Sequence, residues 1–251
     1  MRLYCFIMIL TSIEGKTRNK FCDIVSNDPN HCYIKETLTS IAHSPNQLSV
    51  DKKTNTLYFS FDFGQGEYVP AILQIDTKKL SVLKGVKDAF AISNDPATGD
   101  MYFGGSHGIY KYSVSRRSLS RLNINNLDIW WLFYKKRIYF IKFPSLNDIF
   151  FINGTGLFGV KKDSTQPVLL RDSPKFLGIA TDNNGMVYVC SDEGIFVVSK
   201  IVQKVKKMVN IQGVLGLAFD NANNIIYSDS HDIVRLVPLG KTNYQDLNYD
   251  D

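Results

Sequence analysis

The chain has 251 residues, 44% of them apolar, and its 29 basic and 24 acidic residues are well mixed, for a formal net charge of +5. That length is ordinary for one large all-β domain. No long basic run points to nucleic acid or a membrane surface; the densest stretch, VQKVKK at 202–207, alternates apolar with basic residues as an exposed strand does.

The first segment, MRLYCFIMILTSIEG, has a basic Arg2, an apolar run from Leu3 to Leu10 and small or polar residues up to Gly15. It reads as a secretory signal peptide over 1–15, with Ile13 and Glu14 making an imperfect cleavage site. Residues 16–251 then form a single domain. No other apolar run is long enough to cross a bilayer. In a secreted chain Cys22 and Cys32 are expected to pair, which leaves Cys190 as a buried, inert thiol in MVYVCSD. Asn153, in NGT, is an acceptor for a glycan if its loop is exposed.

CYIKETLTSI, near 32–41, is an alternating strand with no unit of its own. After it, a repeat begins. Tyr58, Tyr102, Tyr139, Phe150, Tyr188 and Tyr227 occupy equivalent strands at intervals of 44, 37, 11, 38 and 39 residues. Each unit opens on a short apolar strand (QLSV, FAIS, IWWLFY, LGIAT, LGLAF). A turn rich in Asp, Asn and Gly follows, then the strand with the aromatic, then a third strand after a Gly-centred turn, and in several units a fourth, more polar one. Four antiparallel strands repeated every forty residues or so predict a β-propeller. The last unit, ending in HDIVRLVPLG, lacks its fourth strand. The strand near 32–41 would supply it and close the ring, hiding two sheet edges, and 239–251 is left as a polar tail.

The interval of 11 between RIYF and DIFF is short by roughly 27 residues. A third strand, a fourth strand and the next first strand are missing there. The ring is either five-bladed with one hybrid blade, the reading preferred here, or six-bladed with one incomplete blade; a skipped exon or faulty gene model would also produce it.

LSVDKKTNTLYFSFD, SHGIYKYSV, DIWWLFYKKRIYFIKFPS, VLGLAFDNANNIIYSDSHDIVRL and the opening Cys22…Cys32-Tyr33 resemble the ommochrome-binding proteins of lepidopteran insects. More distantly the units resemble six-bladed propellers of the NHL and regucalcin-like kind. The resemblance covers nearly the whole mature chain and implies a secreted haemolymph protein, without enzymatic activity, that binds ommochrome pigments, the phenoxazinone products of tryptophan breakdown. The family pattern has a full unit where this chain is short.

Enzymatic motifs are absent: there is no G-x-S-x-G elbow, H-E-x-x-H, P-loop or paired CxxC. His107 and His231 stand at equivalent places, GGSHG and SDSHD, and are read as inherited turn residues rather than metal ligands. The Asp/Asn turns lack calcium-loop spacing and are read as hairpin turns. The starts of the inner strands carry aromatic, apolar or amide residues, not the acidic set that holds a divalent ion in regucalcin-like propellers. That favours a flat apolar ligand over metal-dependent hydrolysis. The face where inner-strand starts meet the loops after second strands is expected to present Gln47, Phe63, Phe90, His107, Trp130, Lys142 and Phe176, although packing between blades is the commoner role for each aromatic. The repeated tyrosines are assigned to the core. The expected protein is a monomer binding a small aromatic pigment, with no metal or other cofactor. The alternatives are a metal-dependent, lactonase-like hydrolase on the same fold and an NHL-type scaffold for protein partners.

Overall fold

The computed structural model describes residues 22–27, 32–41, 43, 45–64, 66–95, 97–122, 133–135, 137–139, 149–153, 156–160, 168–199 and 204–239. Every element among them is a β-strand. Blade I comprises β3 (Asn46–Asp51), β4 (Thr56–Asp62), β5 (Tyr68–Gln74) and β6 (Lys79–Val82). Blade II comprises β7 (Ala89–Asn94), β8 (Met101–Gly105), β9 (Gly108–Ser113) and β10 (Ser118–Arg121). Blade III comprises β16 (Phe176–Thr181), β17 (Val187–Ser191), β18 (Gly194–Val198) and β19 (Val205–Val209). Each is a four-stranded antiparallel meander, as the repeat of strands and turns dictates.

Blade IV closes the ring. Its β20 (Gly216–Phe219), β21 (Ile225–Ser228) and β22 (Asp232–Leu239) come from the end of the repeat. Its fourth strand, β2 (Cys32–Ser40), comes from the N-terminal segment and pairs antiparallel with β22; β1 (Ile24–Val25) adds a fifth. Thus the two ends of the repeat lie in one sheet, between blades I and III, and β22 exposes no edge.

The short interval gives two partial sheets. β11 (Phe133–Lys135) and β12 (Arg137–Tyr139) form one, against blade II. β13 (Ile149–Asn153), β14 (Gly156–Val160) and β15 (Val168–Arg171) form the other, against blade III. Among the described residues no ladder joins β12 to β13, so these strands do not make the single hybrid sheet preferred from the sequence.

Alternation along the second strands fills the spaces between blades. Leu57, Phe59 and Phe61 of β4 pack with Ala218, Ile226 and Ile233 of blade IV, while Tyr58 packs with Val86, Ile92, Met101 and Phe103 of blade II. Tyr188 meets Leu217, Phe219 and Tyr227 between blades III and IV. Tyr58, Tyr102, Tyr188 and Tyr227 are all buried. One of them is out of step. Tyr58 and Tyr188 face the blade that follows in the chain, whereas Tyr227 faces the one before, and Ile226 takes the tyrosine position. A slip of one residue reverses a strand's faces, and aligning by the aromatic concealed it.

The Asp/Asn turns fold on themselves. Asp51, Asp95, Asp182 and Asp220 are buried, and each accepts hydrogen bonds from backbone N–H groups two to four residues on, such as Asn184 and Met186 on Asp182. These are the side-chain-closed turns for which Asp is selected. The turns of blades III, IV and I also join one another: Asn183 N donates to Asn223 Oδ1 at 2.7 Å, and Asn221 N to Asn55 Oδ1 at 3.3 Å.

Ion pairs fasten the closing strand. Arg235 of β22 donates to Glu36 of β2 at 2.6 and 2.9 Å and lies 3.5 Å from buried Asp220, while Lys78 of blade I reaches Glu36 at 3.1 Å. Burial would raise the Glu36 carboxyl, but hydrogen bonds from Arg235 and Lys78 outweigh it and hold the group below its ordinary 4.5. Asp100 is likewise held below 3.8: burial pushes it up, and Lys111, 2.8 Å away, pulls it down further. A carboxyl whose folded value lies below its unfolded one stabilises the fold above the unfolded value and loses that contribution as pH falls through the folded one. The melting temperature is therefore expected to decline as pH drops below 4.5 and again below 3.8. In Arg235→Met the first decline should be shallower, and scanning calorimetry from pH 6 to pH 3 measures both.

Candidate functional site

The inner strands of blades I, II and III begin with a register shift, between Asn46 and Ser49, Ala89 and Ala91, and Phe176 and Gly178. Such a bulge leaves residues without a partner on the neighbouring strand and re-aims their side chains. The bulged residues are Gln47 and Leu48, Phe90, and Leu177, and all four are half-buried. They stand where the inner strands enter the ring.

The shift decides between two phenylalanines. Phe90 lies in its bulge, at 5.8 Å and nearly perpendicular to the ring of Tyr68. Phe176 lies just before its bulge, is only 3% exposed, and packs edge-on against Phe196 at 5.5 Å beside Leu157 and Val189. Its ring offers no free face to a ligand, and the counterpart of Phe90 is Leu177. Composition alone could not make that distinction, because it depends on a one-residue offset in pairing.

Blades I and II bring the other candidates together. Ser60 Oγ lies 3.4 Å from both the Asn46 and Phe90 carbonyl oxygens, joining the starts of the two inner strands. Gln47 adopts a positive φ of 49°, with its N–H on Asn46 Oδ1 at 2.8 Å. Phe63 follows β4 and is 67% exposed, its ring edge-on to Phe61 at 6.3 Å. The hairpin holds it out: Phe63 N donates to the Glu67 carbonyl at 2.8 Å, and Gly64 N donates to Asp62 Oδ1 at 2.8 Å. A φ of 124° at Gly64 makes glycine the fitting residue there.

Asp88 ties this edge together. One carboxylate oxygen lies 3.5 Å from the Tyr68 N–H, and the other accepts the Ser106 hydroxyl. Ser106 is also 2.9 Å from His107 Nδ1, and Arg121 donates to the His107 carbonyl at 2.6 Å. His107 is exposed. His231 repeats the arrangement, 2.6 Å from Ser230 Oγ, so the two histidines share a turn design. Trp130 and Lys142 lie outside the described residues, as does the side chain of Asn153, whose backbone ends β13 opposite Gly156. Among the described residues no group of three or more His, Cys, Asp or Glu is placed to hold a metal ion. Asp88, Tyr68 and Leu177 were not singled out from the sequence; the signal was their place beside a bulge or turn, visible only once pairing is known.

Cys22 and Cys32 form a disulfide. Cys190 is fully buried between blades III and IV, where burial pushes its thiol up to about 12 and keeps it protonated.

A second concavity was not foreseen. It is an open cleft of about 490 Å³ between blades III and IV, lined by Asp23, Ile24 and Val25 of the N-terminal segment, Lys35 of β2, Asn210, Ile211 and Gln212 of the connection between the blades, and Tyr227 and Asp229. The slip that turns Tyr227 toward blade III brings it here.

No family model matches the chain. The ommochrome-binding protein of Manduca sexta is 30% identical over 277 residues, covering 96% of this chain and all of that one. The alignment is longer than the 251 residues of the chain, so it places gaps in this chain. Among solved structures, the WD40 propeller domain of Doa1 superposes with a TM-score of 0.53 at 10% identity, over 83% of this chain and 98% of that one. A gluconolactonase from Xanthomonas campestris superposes with a TM-score of 0.52 at 12% identity, over 83% and 90%. At such identities these two establish the propeller and nothing about chemistry.

Proposed function

Because the chain belongs to the ommochrome-binding protein family, we propose that it is an extracellular, non-enzymatic binding protein for a planar phenoxazinone pigment. The pigment would bind at the ring entrance between blades I and II. The observation that carries the placement is the half-buried Phe90, held edge-on by Tyr68, which pairs with Asp62, the residue before the exposed Phe63. These rings supply apolar faces for a flat aromatic, and Asp88, Ser106, His107 and Gln47 supply polar groups for its substituents. The disulfide between Cys22 and Cys32 supports an oxidising compartment. The buried Asp51, Asp95, Asp182 and Asp220 accept hydrogen bonds from the backbone N–H groups of their own turns.

Removing the Phe90 ring in Phe90→Ala should weaken binding about tenfold, with a smaller loss for Phe63→Ala. Leu80→Ala, on the outer strand of blade I, should leave it unchanged. The shift of pigment absorbance on titration reads all three. Parent affinity in both phenylalanine variants would remove the pigment from this entrance.

A further inference from the structure

The chain's positive charge is concentrated on one part of the ring. From β6 to β10, residues 79–121, seven Lys or Arg stand against three Asp, which accounts for four of the five net positive charges of the whole chain. All three acids are engaged locally. Asp95 is buried in its own turn, where it accepts the Ala97 N–H at 2.9 Å; Asp100 pairs with Lys111; and Asp88 accepts from Ser106 and from the Tyr68 N–H. Six cations remain: Lys79, Lys84, Lys87, Arg116, Arg117 and Arg121. All are exposed, and none forms an ion pair among the described residues.

The fold sets these groups along a strip. β6 and β10 are the outer strands of blades I and II. The connection from β6 to β7 lies against β10: Leu83 and Val86 pack in one cluster with Leu119, and a Cβ on Gly85 would stand 3.2 Å from Leu119 Cδ2. Lys84 and Lys87 flank this contact on the solvent side. Arg116 and Arg117 lie in the turn between β9 and β10, and Arg121 ends β10, about 13 Å of strand away. Arg121 is held in place. Its guanidinium lies over the Tyr110 ring at 5.9 Å and donates one N–H to the His107 carbonyl at 2.6 Å, and its remaining N–H groups have no partner among the described residues.

Unpaired cations spread over such a length match an extended polyanion rather than one small anion, and guanidinium groups take the oxygens of a sulfate in a fork. The other exposed residues of β10 are Ser118 and Ser120, so this strand offers no apolar anchor for a lipid surface. We propose that the strip along β6, the β6–β7 connection and β10 is a docking surface for a linear sulfated polysaccharide. The choice of a polysaccharide over a nucleic acid rests on the extracellular reading above.

The test titrates the full chain with heparin, with uncharged dextran, and with vesicles of phosphatidylcholine and phosphatidylserine, at about 0.15 M salt. Heparin should bind saturably, and dextran and the vesicles should not. The double variant Arg116→Gln/Arg117→Asn should weaken heparin about tenfold; asparagine suits the φ of 51° at residue 117. Arg121→Gln should weaken it by a smaller factor. Lys204→Gln/Lys206→Gln removes the same charge from exposed positions on and beside β19 of blade III, and should change heparin affinity by less than about twofold. Arg116→Gln/Arg117→Asn should leave pigment titration unchanged, so a failure here is distinguishable from a failure of the pigment reading. Vesicles bound in place of heparin, no saturable binding of either, or an equal loss in the two charge-matched pairs would each overturn the proposal.

Discussion

Gly105→Ala should lower the melting temperature by about 10 °C or more and deplete the soluble protein. A Cβ on Gly105 would stand 1.7 Å from the Asp88 carbonyl oxygen, 2.7 Å from its carbon and 3.0 Å from Ala89 Cα. All three are backbone atoms, so no rotamer relieves the overlap. Ala89 pairs with Gly105 across β7 and β8 and is fully buried, so neither strand has room to retreat. The ladder must part, at about 4 kcal/mol or more, a large share of a typical domain's stability. The damage would also reach the proposed pigment entrance, since Asp88 and Phe90 flank Ala89. Gly213→Ala is the control: its φ is 73°, but nothing lies within 4 Å of the added carbon. Only the backbone conformation is penalised there, by about 1 kcal/mol. Thermal melts that place the two variants within a few degrees of each other would refute the steric account.

Replacing both Cys22 and Cys32 with alanine should cost about 3 kcal/mol, the value expected for a loop closed over a separation of 10 residues. The loss should be local in its consequences. β2 keeps its long ladder with β22 and the Glu36–Arg235 pair without the disulfide. β1 has two paired residues with β2 and a few contacts to blade III, and a strand that short is held mainly by its covalent tie. The double variant should therefore melt lower yet cooperatively, admit protease near residues 22–27, and lose the cleft between blades III and IV while keeping the entrance between blades I and II. Reduction of the parent should reproduce this. An unchanged melting temperature on reduction would mean that β1 is held by its hydrogen bonds alone.

The propeller was legible because its determinants are local. Period-two alternation and Asp/Asn turns mark each strand, and the forty-residue interval marks each blade. Burial of the repeated tyrosines follows from the same periodicity. What stayed hidden depends on single-residue offsets and on contacts distant in sequence. The bulges at Phe90 and Leu177 are set by pairing with β8 and β17, so sequence could not tell that Phe176 turns into the core while Phe90 stays at the entrance. The slip at Tyr227 has the same origin. The cleft between blades III and IV needs Asn27 to meet Lys207 and Met208, a contact no local pattern announces. The short interval at 139–150 was plain in the sequence, but whether its strands merge is a question of pairing, and β12 and β13 belong to separate sheets.

The most direct test of the central reading is a titration of the folded full-length protein with a phenoxazinone pigment, followed by the pigment's visible absorbance. A saturable spectral shift that is lost together with the Phe90 ring is the predicted result. No shift from a protein that melts cooperatively would contradict a pigment-binding role for this shortened ring.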